Sequence, residues 1–226
     1  MYLDIYYIIL VVPAMLFAFW AQAKVSSTSR KYSRIANSRG MTGADAARMI
    51  LDANGLYDVG IERINGDLTD HYDPKANVIR LSETTCDKIS VTAIGVAAHE
   101  AGHAVQHATG YGPIKIRMAI LPICSIGSNL AMPLFILGII FGYTPLMNVG
   151  IIFFALAAFF QLVTLPVEFN ASSRALAALT QRGGFSQDEL YGAKKVLSAA
   201  ALTYVAALAV ALANLLRLIA IANRRK

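Results

Sequence analysis

Three stretches of this chain carry no charged residue over lengths that matter to a bilayer: Ile5 to Ala23 (19 residues), Met118 to Val167 (50 residues) and Val196 to Leu216 (21 residues). About 20 apolar residues in a helix cross the hydrocarbon core, so the 50-residue run has room for two crossings. Gly142-Tyr143-Thr144-Pro145 supplies the turn between them, which predicts helices over 118–141 and 147–167. The expected fold class is an α-helical membrane protein of about four transmembrane helices: 1–23, the hairpin 118–167, and 196–222. Hydrophobic residues make up 56% of the chain and charged residues 15%, too apolar for an ordinary soluble domain. Residues 24–117 and 168–195 remain for a small α+β domain, and 223–226 form a basic tail.

Ala21-Gln22-Ala23 has the small-x-small look of a signal cleavage site. The residues before the first run hold an acid, Asp4, and no base, and the run is longer than a signal core, so an uncleaved anchor is expected. The segment between the first and second spans holds 12 of the 20 Lys and Arg, whereas the turn at 142–145 holds none. By the bias of bases toward the cytosol, the N-terminus faces out, and residues 24–117 and 168–195 face the cytosol. Arg224-Arg225-Lys226 then lies outside, against the trend; Arg217 within the last apolar run leaves open a final helix that does not fully cross.

The net charge of +6 is read as topology and contact with the anionic lipid bilayer. The bases are not interleaved with aromatics in one soluble patch, so no nucleic-acid partner is expected. The two cysteines, Cys86 and Cys124, fall in a cytosolic segment and a span, which predicts neither a disulfide nor a thiolate zinc site.

Within the first cytosolic segment, Ala97-Ala98-His99-Glu100-Ala101-Gly102-His103 contains H-E-x-x-H. On a helix this spacing puts His99 and His103 on one face, one turn apart, where two imidazoles can hold a single Zn²⁺. Glu100 is left beside the metal as a general base for a zinc-activated water. The helix is expected over 91–107, with Ser90 as its N-cap and a face of small residues including Gly95, Ala98 and Gly102 that lets another segment approach the metal. The plain alternative is a buried helix whose histidines bond to nearby backbone. His107 lies roughly 12 Å from His99 by helical rise, too far to close the same site, and reads as a packing residue or a support for a ligand.

Upstream, Thr42 caps a short amphipathic helix that ends at Asn54-Gly55. Tyr57 to Arg63 and Asn77 to Ser82 read as strands. The second leads into the motif helix and would either take an extended peptide on the sheet edge or form a hairpin that covers the helix. Asp70, His71 and Asp73 are either a second metal site or exposed turn chemistry.

A catalytic zinc wants three protein ligands and an open fourth position. A third histidine at the metzincin spacing would fall at Thr109, which excludes that class. Glu168 is the one acid between Glu100 and Asp188, and the topology returns it to the side of the membrane that carries His99 and His103. Ligand count and topology therefore select the same residue.

With Leu165-Pro166-Val167-Glu168-Phe169-Asn170-Ala171-Ser172 added to the H-E-x-x-H stretch, to Leu51–Leu56 and to Asp70-His71-Tyr72-Asp73-Pro74, the chain resembles the YugP-like membrane zinc metallopeptidases. These are a bacterial group akin to the HtpX-type gluzincin proteases. The resemblance covers nearly the whole length. It implies a zincin-like domain, one zinc per chain held by His99, His103 and Glu168, Glu100 as catalytic base, and a protein or peptide substrate cleaved at the cytosolic face of the plasma membrane. HtpX-type enzymes have an Asp four residues after the glutamate ligand, where this chain has Ser172. Asn170, Ser172 or a backbone carbonyl must then orient a ligand histidine. Arg174 either steadies an oxyanion or substrate carboxyl or only snorkels to the interface. A non-catalytic membrane scaffold with a structural metal is the rival reading; the free acid beside the metal, Glu100, speaks against it.

Overall fold

The computed structural model describes residues 4–224 and is mostly helical, with one small sheet. Residues 1–3 of the first expected span, and Arg225 and Lys226 of the basic tail, lie outside the described residues. A π-helical turn (Tyr7–Val11) leads into α1 (Val12–Tyr32), followed by α2 (Gly43–Ala53), β1 (Gly60–Ile64), β2 (His71–Asp73), β3 (Val78–Ser82), α3 (Glu83–Cys86), α4 (Val91–Ala108), α5 (Gly112–Ile140), α6 (Thr144–Arg182) and α7 (Gln187–Asn223). Four helices, Tyr7–Tyr32, α5, α6 and α7, are long and apolar enough to cross a membrane.

Each of these helices outruns the apolar stretch that marks it. Charges end a span but not a helix, so α1 continues through Lys24 and Arg30 to Tyr32. The 39 residues of α6 extend about 58 Å, nearly twice the hydrocarbon thickness. The residues after 167, expected as a separate segment, are thus the second half of the same helix up to Arg182.

The chain forms two compact units whose boundaries fall inside α1, α5, α6 and α7. The first comprises residues up to Gln22, Lys115–Pro166 and Leu202 onward. Its helices pack through small residues: a Cβ on Gly150 would lie 2.7 Å from the Ala131 carbonyl oxygen, and one on Gly138 would lie 2.6 Å from the Met147 nitrogen. Phe135, Met147, Leu218 and Ala222 fill the space between them. Arg217, which left the last crossing in question, gives two hydrogen bonds to Asp4 Oδ2, from Nε at 2.9 Å and Nη2 at 2.7 Å. The Tyr7 ring lies 5.0 Å from its guanidinium carbon. With its charge met, Arg217 does not interrupt α7.

The second unit comprises Ala23–Ile114 and Val167–Ala201, around a core that includes Leu51, Ile79, Leu81, Ile94, Ala98, Leu179 and Leu197. Thr42 and Asp45 form a reciprocal capping box at the start of α2. The sheet order is β1-β3-β2: β1 runs parallel to β3, and β2 antiparallel to it. Of the two alternatives for Asn77 to Ser82, a hairpin with the Tyr57 to Arg63 run is excluded by the parallel pairing of β1 and β3. The short turn 74–77, with Asn77 at φ +54° and Asp73 accepting from the Lys75 and Ala76 nitrogens, makes β2–β3 the hairpin and leaves β1 the far edge. This places Val78–Ser82 at the centre of the sheet, where no peptide can add to it; the edges are β1 and β2.

Candidate metal centre

Helix α4 starts where Ser90 accepts from the Ala93 nitrogen at 3.1 Å, the predicted N-cap. It is buried on nearly every side, because α2, α3, β2 and β3 all lie against it. Such a helix must be built from small residues, and its Ala and Gly positions meet that demand. The decisive one is Gly102: a Cβ there would stand 2.7 Å from the Ala171 carbonyl oxygen of α6. Only glycine lets α6 come this close, and α6 carries Glu168.

The approach brings His99, His103 and Glu168 together, with one ligand atom from each lying within 4.8 Å of the others. Glu168 Oε2 is 3.2 Å from His99 Nε2 and 3.5 Å from His103 Nε2. The two rings stand edge to face with centroids 4.7 Å apart. Glu168 is almost completely buried, at 2% exposure. Among the described residues no other group of three such side chains is gathered in this way. Two imidazole nitrogens of half-buried histidines and one oxygen of a buried carboxylate are the donor set of a three-ligand zinc site, so the residues fit that metal.

Glu100 follows His99 on α4 and is 8% exposed. Burial opposes a charge on His103, but the hydrogen bond to Glu168 and the charges of Glu100 and Glu168 outweigh it and lift His103 above the ordinary histidine value. The pocket thus attracts positive charge, whether a proton or a cation.

Both histidines are held from behind. Ser172 Oγ lies 3.1 Å from His99 Nδ1. Gln106 Oε1 lies 3.0 Å from His103 Nδ1, a residue the sequence reading passed over. Its signal was present: the one amide on the motif helix, about one turn after His103. Asn170 sits one step behind His103, accepting from Gln106 at 3.0 Å and from Arg174 Nε at 2.8 Å. Arg174 also stands over the Tyr111 ring, 6.0 Å from its centroid, and with Gly102 and Val105 lines a cleft of about 200 Å³.

The chain matches, over residues 7–223, the model of the family described as "Putative neutral zinc metallopeptidase". It belongs to this family. It is also 51% identical over 215 residues to the "Putative membrane protease YugP" of Bacillus subtilis (strain 168), covering 95% of this chain and 96% of that protein. No solved structure matches. The family description implies zinc, and among the described residues His99, His103 and Glu168 form a group that could hold it.

The remaining candidates lie elsewhere. His107 is exposed, its ring edge-on to Tyr72 at 6.1 Å, apart from the three-residue cluster. Asp70 accepts from the Ser82 nitrogen at 2.8 Å, Asp73 pairs with Arg80 at 2.7 Å, and His71 Nδ1 lies 2.9 Å from the Thr69 carbonyl. These three serve the sheet and its turns and form no second metal site.

Proposed function

We propose that this protein is an integral membrane zinc endopeptidase that hydrolyses peptide bonds of protein substrates. The observation that carries the proposal is the convergence of His99, His103 and Glu168 with Glu100 buried beside them. When bound, zinc supplies Lewis acidity, polarising a carbonyl and lowering the pKa of water. Two imidazoles and one carboxylate leave a position for substrate and water, which a structural four-ligand site does not. Glu100 takes the proton of the attacking water and returns it to the leaving amine. Ser172 and Gln106 hold the two imidazoles in place through both steps.

The spans are read as 1–23, 118–141, 147–167 and 196–222, with the zincin-like unit facing the cytosol. The distribution of bases supports this orientation. The Asp4–Arg217 pair supports a last helix that crosses fully. In this arrangement α6 leaves the membrane and delivers Glu168 to the motif helix without a break.

Purified full-length protein in detergent micelles should carry about one zinc per chain and degrade an unfolded protein such as casein. Glu100→Gln should lower the rate by at least about 10²–10⁴-fold, the range for a lost general base, and keep its zinc. Cleavage unchanged by that substitution would remove the mechanism. Single cysteines at positions 70 and 144 test the topology, with labelling of 70 from outside overturning it.

A further inference from the structure

Gln106 is fully buried, at 0% exposure, and its hydrogen bonds leave its amide no choice of orientation. Nε2 donates to the Val167 carbonyl at 2.7 Å and to Asn170 Oδ1 at 3.0 Å. Both partners are acceptors, so the amide nitrogen must face α6 and the amide oxygen must face His103. An amide oxygen only accepts. The 3.0 Å contact with His103 Nδ1 therefore requires that nitrogen to carry the proton of the neutral imidazole, and Nε2 keeps its lone pair. Nε2 is the atom that faces Glu168.

The direction of this chain of bonds is set at its far end by a group that cannot be reversed. Arg174 Nε donates to Asn170 Oδ1 at 2.8 Å, and a guanidinium has no acceptor. The oxygen of Asn170, not its amide nitrogen, must then point toward both Arg174 and Gln106. Turning Asn170 over would set its amide nitrogen against two donors, Arg174 Nε and Gln106 Nε2, and turning Gln106 over would set its amide oxygen against two acceptors, the Val167 carbonyl and Asn170 Oδ1. His99 differs, because the Ser172 hydroxyl beside its Nδ1 can donate or accept and selects no tautomer.

We propose that Gln106 is the positioning residue for His103: oriented by Arg174 through Asn170, it holds the imidazole in the tautomer that offers Nε2 to zinc, and it ties the motif helix to the helix that brings Glu168. This rests on the zinc-peptidase reading and deepens it. His103 is the pre-set ligand and His99 the adaptable one.

The test uses full-length protein in detergent micelles labelled with [15N]histidine, with His103 assigned by comparison with His103→Ala. In metal-free wild-type protein at alkaline pH, His103 should show a protonated Nδ1 and a bare Nε2. Zinc affinity is read by competition with a chromophoric chelator. Gln106→Leu should bind zinc about 10–100-fold more weakly, the usual cost of losing a group that orients a metal ligand, with His103 populating both tautomers. Because a buried substitution can disturb folding, Arg174→Leu provides a second arm that leaves Gln106 in place: the same tautomer mixing, with a few-fold weaker affinity. Arg174→Lys, which keeps a cation that only donates, should restore the wild-type signature. A wild-type His103 protonated on Nε2 overturns the proposal, as does Gln106→Leu that binds zinc as tightly as wild type. A wild-type protein that binds no zinc overturns the zinc reading and this proposal together.

Discussion

The Asp4–Arg217 pair and the His99–His103–Glu168 cluster both hold charged groups in an apolar chain, the first as a pair of opposite charges and the second as a set of metal donors. In the first unit a carboxylate meets a guanidinium through two bonds to one oxygen, and the side chains are 23% and 18% exposed. In the second unit three side chains turn lone pairs toward one point, with Glu168 the most deeply buried. The closed pair holds two segments of chain together and needs nothing from outside. The open cluster gathers donors that a cation, zinc or a proton, can bridge, and the raised pKa of His103 fits that arrangement.

The comparison breaks most readily at Glu168. Glu168→Ala removes the one carboxylate of the donor set and should weaken zinc binding by more than the roughly 10–100-fold lost with an outer support, abolishing peptidase activity with it. Zinc content after gel filtration and casein hydrolysis check both. Zinc held at the wild-type level would mean that α6 takes no part in the site.

The closed pair should answer differently to the removal of one or both members. Asp4→Asn leaves the Arg217 charge in an apolar helix and should cost about 3–5 kcal/mol, read by denaturant unfolding in micelles. Replacing both residues by leucine should recover most of that loss, since two apolar side chains of similar size need no partner. No such recovery is expected for a double replacement in the metal cluster. A double variant as unstable as the single one would show that the pair does more than cancel its own charges.

The two states of the open cluster should also respond to pH with opposite signs. In metal-free protein the raised pKa of His103 contributes stability that is fully present below the unfolded value and is lost as pH rises through the folded one. In zinc-loaded protein the ligand must be neutral, so affinity falls as pH drops through the same range. Thermal unfolding with and without a chelator between about pH 5 and 8, on either side of the ordinary histidine value, should show the two slopes crossing. Parallel slopes would mean that His103 is not a ligand.

What could be seen beforehand follows the range of the forces involved. The Ser90 cap, the motif helix and the Thr42 capping box are local, and local sequence carries them. That Glu168 would lie near His99 and His103 could be expected for a different reason: the 67 residues between Glu100 and Glu168 hold no other acid, and ligand count and topology pointed to the same residue. The strand order was not legible, because whether β1 lies beside β2 or β3 depends on contacts that no alternation of residues encodes. Helix ends were misplaced wherever a helix leaves its apolar run, since hydropathy reports the solvent and not the backbone. Gln106 was hidden because its meaning lies in α6, more than 60 residues away, where Val167 and Asn170 supply the acceptors.

The smallest effect is expected at Ser172. Its hydroxyl lies 3.1 Å from His99 Nδ1, one hydrogen bond with no charge behind it, unlike the chain through Gln106 and Asn170 that ends on Arg174. Such a bond contributes about 1 kcal/mol, so Ser172→Ala should weaken zinc binding roughly five-fold and leave the tautomer of His103 unchanged. The same chelator competition and histidine spectra measure it. An effect as large as that of Gln106→Leu would mean that the two ligands are equally dependent on what stands behind them, and that the absence of an acid at position 172 carries no relaxation of His99. A five-fold effect would mark His99 as the ligand held loosely, free to shift as substrate displaces water, while His103 stays fixed.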